Sequence, residues 1–212
     1  MRMTRSRLTA AAACVLTILS ATALGWARPP EPDPLPKRWQ LDLDIGPLRV
    51  ATVETEAKGT QMYFYLTYRV TNNSGEDQAF APVFELGTDE GELFRAGKDV
   101  PRAVRLEMLD RLDNPLLEGQ IAILGTLLQG KENAKDGLVV WPVGAIDIDE
   151  ISVYAAGFSG ETTKIEFKDP ESGEAKEVTL RKTMMVQYDL PGSLERRGAE
   201  PIKPRAKRWI MR

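Results

Sequence analysis

Residues Gln61–Thr71 read QMYFYLTYRVT. Successive side chains of an extended chain point to opposite faces. Met62, Phe64, Leu66, Tyr68 and Val70 therefore share one face, and Tyr63, Tyr65, Thr67 and Arg69 share the other. Aromatic and β-branched residues favour this conformation, so the stretch predicts a strand. Asn72-Asn73-Ser74-Gly75 follows, and these residue types tolerate the left-handed angles of a turn. Asn72-Asn73-Ser74 is also a glycosylation sequon, but turn chemistry is the weightier reading.

Working outward, other short strands flank this one. Trp39, Leu41, Leu43 and Ile45 alternate with polar residues until Gly46-Pro47, and Leu48–Thr55 supplies a further strand. Pro82–Gly87 and Glu92–Ala96 form a hairpin across Thr88-Asp89-Glu90-Gly91. Ile121–Leu128 is apolar, and Gln129–Asn133 is read as a turn. Leu138–Pro142 and Ile151–Phe158 are buried-type strands. Thr163–Lys168 and Glu177–Tyr188 make a long hairpin around Asp169-Pro170-Glu171-Ser172-Gly173. Only residues 101–112 carry helical spacing, through Val104, Met108 and Leu112, with Asp99 as a cap and Pro115 as a stop. This helix is expected as a lid over one end of a sandwich, with Arg102, Arg105, Glu107, Asp110 and Arg111 facing water. Eight or nine strands with frequent turns and one helix predict an all-β protein, a β-sandwich.

The ends differ from the middle. Residues 1–27 have the form of a secretory signal peptide: Arg2, Arg5 and Arg7, then a mostly apolar run from Leu8 to Leu24, then small residues. Cleavage is expected after Ala27, with Ala23 as the other position and retention as an uncleaved membrane anchor as the competing reading. Cys14 lies within the apolar run rather than closing it, which argues against lipidation. Residues 28–36 (RPPEPDPLP) are a proline-rich linker. Residues 37–190 form the domain. Residues 191–212 hold seven basic residues against two acidic ones and are expected as a flexible basic tail.

Composition removes several chemistries. The chain has no histidine and one cysteine, Cys14. Without histidine there is no Ser-His-Asp triad. Without His or Cys outside the leader there is no ordinary zinc site, thiol nucleophile or disulfide. No glycine-rich phosphate loop occurs. Loss of residues 1–27 removes three of the 28 basic residues and none of the 31 acidic ones, so the net charge moves from −3 to −6. A net-acidic chain is a poor ligand for nucleic acid. Carboxylate acid–base chemistry, Ser–Lys pairs and oxygen-ligand calcium sites remain open.

Two segments also resemble a known family. Tyr65-Leu66-Thr67-Tyr68-Arg69-Val70-Thr71-Asn72-Asn73-Ser74-Gly75 is similar to the strand and Val-x-Asn-x-Ser/Thr-Gly turn of bacterial secreted immunoglobulin-like domains. Leu128-Gln129-Gly130-Lys131-Glu132, Gly137–Val143 and Ile151-Ser152-Val153 are similar to their second half. The resemblance covers about residues 48–158. It implies an immunoglobulin-like sandwich in a periplasmic, cell-envelope or extracellular setting, and it carries over no catalytic residue.

Candidate sites follow from residue chemistry. Tyr63 and Tyr65 share a face and would make an aromatic platform for sugar. Asp147, Asp149 and Glu150 form a carboxylate cluster of the kind a calcium ion uses, although the full calcium-loop pattern is missing. Asp42 with Asp44, and Asp89, Glu90 and Glu92, are further carboxylate groupings. The expected function is a non-enzymatic interaction or structural module with no cofactor and no metal. Its expected partner is another envelope or extracellular protein, with membrane contact only through the signal or the basic tail. The alternative is a carbohydrate-binding or carbohydrate-cleaving protein that uses the tyrosine face and nearby carboxylates.

Overall fold

A computed structural model of the chain describes residues 30–56, 59–143, 148–169, 172–190, 192, 194 and 200–212. The expected signal peptide, Cys14, both expected cleavage positions and Asp147 lie outside the described residues. The elements in chain order are β1 (Asp42–Ile45), β2 (Arg49–Thr55), β3 (Gly59–Asn72), β4 (Gln78–Phe80), β5 (Val83–Thr88), β6 (Leu93–Arg95) and α1 (Arg102–Leu112). After the helix come β7 (Leu117–Gly119), β8 (Gly125–Leu127), β9 (Gly130–Pro142), β10 (Glu150–Ala156), β11 (Thr162–Lys168), β12 (Ala175–Asp189) and β13 (Pro204–Met211). The protein is all-β apart from the helix.

The strand read first from the sequence, β3, organises one sheet. It pairs antiparallel with β9 on one flank and with β1 and β2 on the other, and β7 lies parallel to β9. A second sheet runs β11-β12-β10-β5-β6, with β13 also paired to β12. The two sheets share one core. Phe64, Leu66, Tyr68 and Val70 of β3, with Val139 and Trp141 of β9, join Phe84, Leu86, Ile151, Val153, Met184, Val186 and Tyr188 of the second sheet. Tyr68 contacts Phe84 at 4.7 Å between ring centroids, and Phe158 meets Tyr68, Phe80 and Phe84 edge-on at 5.4–5.8 Å. Such tilted pairs add to the area term of burial. Tyr68 stands opposite Gly137 in the β3–β9 register, and a Cβ at Gly137 would overlap its ring.

The other face of β3 is dry at Tyr63 and Tyr65 and wet at Arg69. Tyr63 and Tyr65, with Val53, Leu138 and Val140, form a second cluster with Val100, Val104 and Met108. The helix thus lies flat on the outer face of the first sheet rather than over one end. The cause is simple: an apolar outer face must be covered, and a helix with two apolar residues four apart can cover it. Asp99 is not the cap, because its φ is 59° and the helix starts after Pro101 with no side-chain cap. The helix ends at Asp113 in a left-handed conformation, and the Asp113 N–H donates to the Asp110 carbonyl at 3.1 Å.

Asn72 settles its turn. It is fully buried; its amide donates to the Glu76 carbonyl at 2.9 Å and the Leu127 carbonyl at 2.8 Å, and its Oδ1 accepts from the Ser74 N–H and hydroxyl. That is turn chemistry with the side chain fully used. Gln129–Asn133 is not a turn as a whole. β9 already begins at Gly130, whose φ is 96°. The polar residues there sit on the wet margin of a strand.

The C-terminal segment departs most from expectation. Residues 204–211 are not a flexible tail but an edge strand, paired from Lys182↔Met211 to Tyr188↔Pro204. Arg181 and Arg212 exchange backbone hydrogen bonds at 2.7 and 3.0 Å. Met211 is buried and Trp209 packs against the core, while Arg205 pairs with Glu150 at 2.7 Å and Asp189 at 2.9 Å. The basic residues decorate a strand whose apolar side chains hold it down.

Candidate functional site

The tyrosine platform is not available to a ligand. Tyr63 is 1% and Tyr65 8% exposed, beneath α1. Desolvation by burial pushes the Tyr63 hydroxyl pKa up. Two tyrosines that close a core cannot present their faces to a sugar.

Of the expected carboxylate cluster, the Glu150 side chain is engaged, and Asp149 is bound through its backbone. Glu150 accepts from Gln187 Nε2 at 2.9 Å and pairs with Arg205. The Asp149 N–H donates to Asp89 Oδ2 at 3.3 Å and its carbonyl accepts from the Leu190 N–H at 2.8 Å. Among the described residues no group of three acidic side chains is arranged to hold a metal ion. Asp42 accepts from Asn73 Nδ2 at 2.6 Å, and Asp89 to Glu92 belong to the tip between β5 and β6.

One buried ion pair stands out. Lys182 Nζ lies 2.8 Å from Glu161 Oε2, and both residues are buried. The Asp33 N–H donates to Glu161 Oε1 at 2.8 Å, and Lys182 Nζ donates to the Asp33 carbonyl at 3.1 Å. Burial works to raise the Glu161 pKa, but the bonds from Lys182 and the Asp33 N–H outweigh it and hold the carboxyl below its ordinary range. Both carboxylate oxygens and two of the three ammonium hydrogens are used internally, so the pair clasps the proline-rich segment to the second sheet.

A larger open concavity lies elsewhere among the described residues. A groove of about 640 Å³ runs between α1, the β5–β6 hairpin and residues 119–124. Its origin is the docking of α1. Val104 and Met108 face the sheet, which leaves Arg102, Arg105, Leu106 and Leu109 to line the groove. The facing wall follows β7, where the Ile123 N–H donates to the Gly119 carbonyl at 3.1 Å and Ile123 is buried. That anchor turns Ile121 and Leu124 outward, 76% and 47% exposed, against 52% for Leu106. Phe84, Pro82 and Ala96 also line the groove, and Arg95 joins it from β6. Gln120 packs against Gly97, whose φ of 73° and lack of a Cβ permit that approach.

The lining combines large apolar side chains with three guanidinium groups. Arg105 Nη1 donates to the Val100 carbonyl at 3.3 Å. Among the described residues neither Arg95 nor Arg102 makes an ion pair. The described lining contains no carboxylate, hydroxyl, thiol or lysine. Such a surface suits apolar contact and cationic charge, and its described lining residues include none of the usual groups for proton transfer or nucleophilic attack. Sequence reasoning placed Arg102 and Arg105 on an open helix face but missed the groove. The available signal was Leu106 beside them, an apolar residue off the Val104–Met108 stripe.

No family model, no curated protein and no solved structure matches the chain. Among the described residues no helix is long and apolar enough to cross a membrane.

Proposed function

We propose that this chain is an exported, non-enzymatic interaction module of immunoglobulin-like architecture that holds another protein in the groove beside α1. The groove carries the reading. A folded protein gains nothing internally from Leu106, Ile121 and Leu124 in water, and apolar side chains gathered in a concave, charged-rimmed site mark contact surfaces. Two antiparallel-rich sheets around one core support the immunoglobulin-like architecture. The basic, apolar and small-residue order of residues 1–27 supports export.

The test is site-specific cross-linking in intact cells of the native host. A photoreactive residue replaces Ile121 in the groove or Thr179 on the exposed part of β12 as a control. A discrete protein adduct from position 121, absent from position 179, is expected. No adduct, or the same adduct from both positions, contradicts the proposal.

A further inference from the structure

We infer that the groove's occupant is a peptide segment carrying acidic side chains interleaved with apolar ones; this rests on the interaction reading above. Charge complementarity is the first argument. Arg102 and Arg105 lie three residues apart on α1, so their side chains leave the same helix face. Arg95 approaches from the β6 side. The protein as a whole is acidic, with 31 acidic against 28 basic residues, yet Arg95 and Arg102 make no ion pair among the described residues. A planar guanidinium binds a carboxylate through two parallel hydrogen bonds, so these cations select carboxylate-bearing ligands.

The number of cations and the openness of the walls separate a peptide from a lipid. A single fatty acid brings one carboxylate to three guanidinium groups. A peptide with several Asp or Glu residues can meet them together. The apolar walls are also wet, as the exposure of Leu106, Ile121 and Leu124 records. A hydrocarbon chain laid there would keep one side in water. A peptide places apolar side chains inward and its polar backbone outward, which is how segments dock in surface grooves.

The experiment is selection of a displayed library of random twelve-residue peptides on the full chain, followed by synthesis of the enriched sequences. Enriched peptides are expected to carry two or more Asp or Glu residues among Leu, Ile or Phe. Their affinity is expected to fall at least tenfold in the Arg102→Glu, Arg105→Glu double variant and several-fold in Arg102→Gln. Raising salt should weaken them further, because exposed charge pairs are screened. Thermal unfolding checks that each variant is folded. Enrichment of basic or uncharged peptides, or affinity unchanged by charge reversal, overturns the inference. So does retention of phosphatidylglycerol vesicles at the groove in place of peptides. If the position-121 adduct forms in cells while selection yields no acidic peptides, the occupant's chemistry is wrong and the interaction reading stands. If neither occurs, both fail.

Discussion

Gly137 and Lys182 show what individual residues contribute. Gly137 is needed for space rather than for turning, since Tyr68 stands over it and is itself held by Phe84 and Phe158. A methyl group there must displace a buried ring. Gly137→Ala is therefore expected to cost on the order of 1–3 kcal/mol in chemical unfolding, the usual range for overpacking. Lys182 acts through charge. Lys182→Met leaves Glu161 buried without its cation, and about 3 kcal/mol of stability should be lost at neutral pH. The pH dependence has a definite sign. The Glu161 pKa lies below its ordinary value of 4.5 in the folded protein, so its contribution is present above about pH 4.5 and fades as pH falls through the folded value. In Lys182→Met that acid-side loss should vanish or reverse, because a buried carboxyl without its cation prefers its proton. Unfolding free energies of both proteins between pH 3 and pH 6 would check this, and parallel curves would refute it.

At the level of elements, legibility tracked how local the signal was. QMYFYLTYRVT is a long alternation with apolar residues on both faces, and β3 forms across it. Its two-sided apolarity was also the clue that Tyr63 and Tyr65 are covered, since a strand with one wet face alternates apolar with polar. The helix was legible to within a residue because Val104 and Met108 lie four apart. β13 was not, because its inward pattern reduces to Trp209 and Met211 amid cations. The groove was least legible, since it needs residues 95, 102–109 and 119–124 brought together by the tertiary fold. The strand assignment of β13 has its own test. Trypsin should cut slowly after Arg205, Lys207 and Arg208 in the native protein, because a paired backbone cannot enter the protease. Rapid cleavage there with the rest intact would restore the flexible tail.

For the molecule as a whole, α1 separates two jobs on its two sides. Toward the sheet it completes a core, and toward the groove it presents the half-exposed Leu106 and Arg102, which makes no ion pair among the described residues. The central claim is that the groove serves binding and not folding. The most direct measurement pairs thermal unfolding with in-cell cross-linking for Leu106→Glu, read from the photoreactive residue at position 121, with Met108→Ala as the comparison. Met108→Ala should cost about 2–5 kcal/mol, as a buried truncation does. The account predicts that Leu106→Glu leaves the unfolding temperature unchanged, because Leu106 is half exposed, and abolishes the adduct. A large loss of stability in Leu106→Glu, or an undiminished adduct, would contradict it.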